Sequence, residues 1–236
     1  MTAVEVLAAH GTQRAADVVE LAAAAGLELA AAATLLEKES SGGHNVFGHD
    51  KVRTGGFYEK GGEVTEEKYR NYKAHRNELG AQGVGPTQLT TPAFQNRADE
   101  LGKRLGHGGC FDFRINCQVG FEILADFIKD HGVHDGFRIY NGGPRPSKDA
   151  EIYADDAVKK LAVWRSRLAG TPREEDMPLN ADDKKFLTDL RDDSVRMLDH
   201  GNPNEPGHHN AHSKILQEVA ALQKDIRMLK SHFGIS

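Results

Sequence analysis

The stretch from Ala15 to Ser40, AADVVELAAAAGLELAAAATLLEKES, constrains the fold more than any other, because most of it is alanine and leucine. Alanine has the best helix propensity of all residues and leucine is close behind it. Short helices are marginal in water, so a stretch of this kind depends on packing against other helices. Gly26 divides it into two predicted helices. The second resumes at Leu27 and runs to about Ser40, with Leu29, Ala32, Ala33 and Leu36 expected on one buried face. It is then broken at once by Ser40-Ser41-Gly42-Gly43. A carboxylate at a helix end is ordinarily solvated. Here Glu37 and Glu39 close an apolar helix and stand before a glycine-rich opening.

Further helices come later in the chain. TEEKYRNYKAHRNELG reads as a helix with Thr65 as N-cap and Gly80 beyond its end. Thr91-Pro92 predicts a cap and a first helical position. NCQVGFEILADFIKDHG repeats Val119, Ile123 and Phe127 at four-residue spacing, and YADDAVKKLAVWRSRLAG carries Val158, Leu161, Trp164 and Leu168 on one expected face. Between the helices ending near Ser40 and beginning near Thr65, glycine is frequent, and short strands are expected around GGFYEKGGEVT. Gly170, Pro172 and Pro178 bracket a polar linker. The predicted organisation is a mainly α domain over 1–169 with a small loop and strand insertion, a linker over 170–180, and a helical region over 181–236.

With 39 % hydrophobic and 28 % charged residues, most of the 236-residue chain is expected to bury a core. A net charge of −5 does not indicate a large nucleic-acid footprint. KYRNYKAHR is basic and aromatic, but helical periodicity spreads its charges around the axis. No apolar run reaches the roughly 18 residues of a membrane-spanning helix. The opening residues carry Glu5 before any Lys or Arg and lack the basic start of a secretory signal, so synthesis in the cytosol is expected. Cys110 and Cys117 match no zinc or thioredoxin spacing. Two reduced thiols are the simpler expectation, with a local disulfide left open. His208, His209 and His212 could share a metal only with further ligands that no motif supplies, so they read as linker, and neither metal nor cofactor is expected.

The pattern at Glu39 suits one chemistry. Desolvation disfavours a charged carboxylate, and a carboxyl kept protonated near neutral pH is what a general acid needs to protonate a glycosidic oxygen. The glycines after it let the backbone turn away and leave a cleft. Ser40 can hydrogen-bond locally and end the helix.

Three motifs in order carry a resemblance. EKESSGG has Glu39-Ser40, GVGPTQLT has Gly85 and Gln88, and RIYNGGP has Tyr140, Asn141 and Gly143 ahead of a final helix. Together they resemble the lysozyme-like domain of soluble lytic transglycosylases, over about residues 25 to 168. The insertion after Gly48 makes the chain look most like endolysins or virion lysins of phages infecting actinobacteria. The resemblance implies an α+β lysozyme-like fold and cleavage of peptidoglycan glycan strands at the bond between N-acetylmuramic acid and N-acetylglucosamine. It implies action on the bacterial wall after synthesis in a host cytoplasm, with no nucleic-acid partner and no membrane insertion. Glu39 matches the catalytic acid, because Ser follows it. Glu37, about 200° round the helix, is expected to point elsewhere. Gln88 matches a sugar-binding residue, Tyr140 the tyrosine that orients the carboxyl, and Asn141 a cleft residue for the N-acetyl sugar. Ser40 and Gly143 belong to the same motifs. The basic helix after Thr65 would form a wall or lid over the cleft. The chain departs from the family in having Gly-Pro-Thr-Gln where Gly-Leu-Met-Gln is usual, which removes an apolar contact and bears on subsite preference.

In this family one glutamate acts first as acid and then as base, closing a 1,6-anhydro ring. A hydrolytic muramidase would need a second carboxylate. Asp50 is the best-placed candidate, with Glu59, Glu63 and Glu66 further along. An inactive lysozyme-like module of a virion is the third alternative.

In the tail, Ile215, Val219, Leu222, Ile226, Leu229 and Phe233 form a heptad seam within residues 212–233. A helix of this length needs a partner. The stretch 181–199 offers a weaker stripe interrupted by Ser194, so pairing between copies is favoured over folding back. Light scattering should therefore find the full chain associating and a chain ending at Gly170 monomeric. Monomers in both cases would mean that the seam packs within its own chain.

Overall fold

The computed structural model describes residues 1–48, 61–145 and 147–170. These lie in the first of two compact units, Met1–Met177 and Pro178–Ser236. The proposed tail seam, the linker, Asp50, Glu59 and the three histidines all lie outside the described residues.

The described chain is mainly α. Its eight helices are α1 (Ala3–Ala9), α2 (Ala15–Ala24), α3 (Leu29–Ser40), α4 (Glu66–Leu79), α5 (Pro92–Leu105), α6 (Phe113–His131), α7 (Val133–Gly142) and α8 (Lys148–Leu168). Local chemistry starts several of them. Thr65 caps α4 by accepting the backbone N–H of Lys68, and Asp112 caps α6 by accepting those of Arg114 and Ile115. Pro92 stands at the start of α5, where a missing N–H costs nothing, while the Thr91 side chain makes no capping bond.

Two apolar cores share α6. On one side Phe113, Cys117, Phe121 and Leu124 join α1, α2, α3, α7 and α8. On the other, Ile115, Val119 and Ile123 join Tyr69 and Tyr72 of α4, Ala98 of α5, and Phe47, Val84 and Leu89 from the connecting segments. Tyr140, near the end of α7, packs against both. Full burial of a leucine such as Leu35 or Leu36 is worth about 1.5–3 kcal/mol, so α3 is a principal contributor to the first core.

Several expectations need correction. Residues 30–36 of α3 are all buried, so the helix is enclosed on every side rather than along one stripe. The seam of α8 runs through Ala150, Ala154, Ala157, Leu161 and Trp164, and Val158 is exposed. Alanines are buried on both α3 and α8, which pack together. Within RIYNGGP, the residues from Arg138 to Gly142 form the end of α7. Most of the stretch expected to hold short strands, residues 55–60, lies outside the described residues, and around it are two isolated bridges, Val46 with Glu63 and Phe47 with Val84. Cys110 and Cys117 are both buried and free. No helix among the described residues is long and apolar enough to cross a membrane.

One close approach sets α6 against the segment around Thr87. A Cβ on Gly120 of α6 would lie 2.2 Å from Thr87 Oγ1 and 2.5 Å from Thr87 Cβ. Thr87 is itself buried and cannot swing clear. Gly120→Ala should therefore cost about 2 kcal/mol of stability by overpacking, read as a lower urea midpoint.

Candidate functional site

The end of α3 is the first wall of the site. Ser41 takes a left-handed conformation (φ 55°) and Gly42 and Gly43 come next with φ near 100°. Gly42 is required twice over, since a Cβ there would meet the carbonyl oxygen of Gly11 at 2.6 Å. The Ser40 hydroxyl is buried, donates to Pro86 O at 2.6 Å and accepts from Gly43 N at 3.1 Å. It thereby ties the helix end to the turn around Gly85. Expected from its motif to bind substrate, Ser40 instead has its hydroxyl committed to the backbone.

That turn is the second wall. Asn116 of α6, fully buried, holds it through both ends of its amide. Its Oδ1 accepts from Thr87 N at 3.0 Å and Thr87 Oγ1 at 2.8 Å, and its Nδ2 donates to Val84 O at 2.9 Å and Cys110 O at 3.0 Å. The Gln88 backbone is left-handed (φ 52°), and its Nε2 donates to Val46 O at 2.9 Å and Gly85 O at 2.7 Å. Both amide protons are thus spent on the backbone, and Oε1 lies against Gly83, where a Cβ would come within 2.5 Å of it. The third wall is the end of α7. Tyr140 donates its hydroxyl to Thr87 O at 2.7 Å, and Gly143 (φ 74°) closes the helix.

Glu39, Ser40, Gln88, Tyr140 and Asn141 line one cleft of about 640 Å³, together with Ser41, His44, Val46, Phe47 and Thr90. Motifs separated by up to about a hundred residues in the sequence therefore meet in one place. Gly143 shapes the turn beside the cleft and is not in its lining. Glu63 and Glu66, expected as alternative carboxylates, are exposed and outside the lining, and Glu66 pairs with Arg70 at 2.5 Å. No described residue of α4 reaches the lining either. Tyr69 and Tyr72 turn inward, bonding Asp99 at 3.0 Å and Gln95 at 3.3 Å, so α4 is a core element rather than a wall or lid.

The carboxylates of α3 all face α8. Glu37 accepts from Lys160 and, at 2.8 Å, from Trp164 Nε1. Glu39 accepts the Tyr153 hydroxyl on Oε1. Glu37 is outside the cleft lining, as its position round the helix suggested, although its long side chain reaches the same neighbour. Among the described residues, the tyrosine bonded to the Glu39 carboxyl is Tyr153, and the single proton of Tyr140 is directed to Thr87. Tyr153 was missed because the expected apolar face of this helix was drawn through Val158, Leu161, Trp164 and Leu168. The signal that could have found it is its place on the alanine seam, four residues before Ala157.

Burial foremost, and then the charge of Glu39, push the phenols of Tyr140 and Tyr153 well above their ordinary value, so both keep their protons and act as donors. Burial likewise raises Cys110 to about 12 and pushes Cys117 well above its ordinary value, which makes these thiols unreactive. Among the described residues no group of three His, Cys, Asp or Glu side chains is arranged to hold a metal ion. No protein-family profile, curated protein or solved structure matches the chain.

Glu37 gives a pH prediction. Burial works to raise its carboxyl, but the bonds from Lys160 and Trp164 outweigh this and hold it below the ordinary 4.5. A carboxyl depressed on folding stabilises the folded state above its unfolded value, and that contribution is lost as pH falls through the folded value. The urea midpoint of the wild-type chain should therefore drop on acidification below about 4.5, and Glu37→Gln should remove part of that drop. An identical pH dependence in the two proteins would contradict this.

Proposed function

We propose that the chain cleaves the glycan strand of bacterial peptidoglycan between N-acetylmuramic acid and N-acetylglucosamine, by lytic transglycosylation with Glu39 as acid and then base. The observation that carries the reading is the convergence of Glu39, Gln88, Tyr140 and Asn141 on one open cleft, in a mainly helical body. A lysozyme-like fold and a phage-type lysin acting on the wall are parts of the same reading.

A glycan laid along the cleft would place a glycosidic oxygen against the Glu39 carboxyl. In the first step the bond from C1 of the muramic sugar to that oxygen breaks as Glu39 gives the oxygen its proton. The developing positive charge on the sugar ring is met by the carboxylate left behind. In the second step the C6 hydroxyl of the same sugar attacks C1, and Glu39 takes the hydroxyl proton. The products are a free 4-hydroxyl and a 1,6-anhydro end, and the carboxyl is again protonated. No water is consumed. Tyr153 donates to the carboxylate oxygen Oε1, which holds the carboxyl at the edge of the cleft.

Two measurements test this. Glu39→Gln should lower the clearing of purified cell walls by about 10² or more with unchanged thermal unfolding, because the amide neither gives nor takes the proton. Glu37→Gln should remain active. Mass spectrometry of the products should find ends about 18 Da lighter than reducing sugars, the mass of the water not added. Reducing ends alone, with activity lost in Asp50→Asn, would make the chain a hydrolytic muramidase. No clearing by the wild-type chain would leave an inactive lysozyme-like module.

A further inference from the structure

The Lys38 side chain lies between the two carboxylates of α3 and is only 13 % exposed. Its ammonium donates to Asp156 Oδ2 at 2.7 Å and sits 4.2 Å from the centre of the Tyr153 ring. Tyr153 in turn donates to Glu39. Asp156, Lys38, Tyr153 and Glu39 thus form a continuous chain of contacts from the solvent edge of α8 to the cleft. Neither Lys38 nor Asp156 has a part in the proposed glycan chemistry.

We propose that Lys38 is a positioning residue that sets the acidity of Glu39 through the Tyr153 ring, and that Asp156 limits its effect. The inference rests on the proposed role of Glu39 as the proton-transferring group. A cation over an aromatic face draws on the electron density of the ring. The phenol becomes a stronger donor to the carboxylate, and a hydrogen bond to the charged form favours that form. The ammonium also favours it directly through space. Asp156 works the other way, since its charge offsets that of Lys38. Among the described residues, the other titratable groups beside this chain include Glu37 on α3, His44 in the cleft lining, Asp149, Asp155, Lys159 and Lys160 on α8, and Tyr140 on α7. Glu37 and Lys160 are paired with each other. Lys159 and Lys160 add positive charge near Asp156. Lys38 is the cation seated on the ring of the tyrosine that bonds Glu39. Buttressing alone would make Lys38 and Asp156 equivalent, because losing either opens the same ion pair. Control of acidity makes them opposite.

The experiment is a carbon-13 NMR titration of the glutamate side-chain carboxyls in the full chain. The Glu39 signal is identified by its loss in Glu39→Gln. Lys38→Met should raise the Glu39 titration midpoint by about half a pH unit or more, the effect of an opposite charge at this range after solvent screening. Asp156→Asn should lower it, and Lys38→Arg should restore it towards the wild-type value. The high-pH limb of wall clearing should move in the same directions, since the first step needs the protonated carboxyl. Asp156 is 48 % exposed, so Asp156→Asn keeps the test decisive if Lys38→Met fails to fold. Midpoints that stay put, or that move the same way in Lys38→Met and Asp156→Asn, overturn the inference. Opposed NMR shifts in a chain that clears no walls would refute the proposed function and leave the control of Glu39 by Lys38 standing.

Discussion

The buried amide of Asn116 is the interaction on which the cleft depends. The segment from Val84 to Gln88 contains Gly85 and Pro86 and has little apolar surface of its own to bury. Backbone groups enclosed without partners cost on the order of 1–3 kcal/mol each, so such a segment can enter the interior only if something meets them. Asn116 meets Val84 O, Thr87 N and the Thr87 hydroxyl from one turn of α6, and Gly85 has no Cβ because one would fall 2.4 Å from Asn116 Nδ2. Once the turn is fixed, Ser40 and Tyr140 find acceptors on it at Pro86 and Thr87. The end of α3 and the end of α7 are thereby held to the same few residues, and the cleft is the space left between them.

The second constraint is the close packing of α3 on α8. Alanines on both helices remove the bulk that would hold them apart. The gain is reach: Glu37, Lys38 and Glu39, three consecutive residues, all find partners on α8, at Lys160 with Trp164, at Asp156, and at Tyr153. Glu37 is absorbed in an ion pair that steadies the helices. Glu39, one half-turn on, lines the cleft while accepting from Tyr153. Two glutamates of the same helix end thus have different surroundings, and the proposed chemistry falls to the one beside the glycine opening.

Much of this was legible in the sequence, for reasons that differ between residues. Helix ends at Thr65, Asp112 and Ser40 are local events, and Thr65 and Ser40 could be read from their neighbours. The grouping of Glu39, Gln88, Tyr140 and Asn141 came from motif order, and the cleft brings them together. Asn116 could not be read, because nothing in RINCQV distinguishes an amide that will be buried from one that will be solvated. Its role depends on a turn some thirty residues earlier. Val158 misled because apolar spacing on α8 allowed two faces, and the alanine content of α3 chose the one with Ala154 and Ala157. Tyr153 was hidden by its charged neighbours, two of which, Asp156 and Lys160, face α3 as it does and pair with Lys38 and Glu37. Ser40, assigned to substrate through its motif, lines the cleft while its hydroxyl donates to Pro86 O.

The most direct test is whether the cleft binds a sugar chain. Titrating a tetramer of N-acetylglucosamine into nitrogen-15-labelled Glu39→Gln should produce saturable shifts in the backbone amides of Ser41, His44, Gln88, Thr90 and Asn141, while those of α4 and α5 stay in place. Shifts confined to residues away from these five, or no saturable shift at all, would contradict the assignment of this cleft as a glycan site.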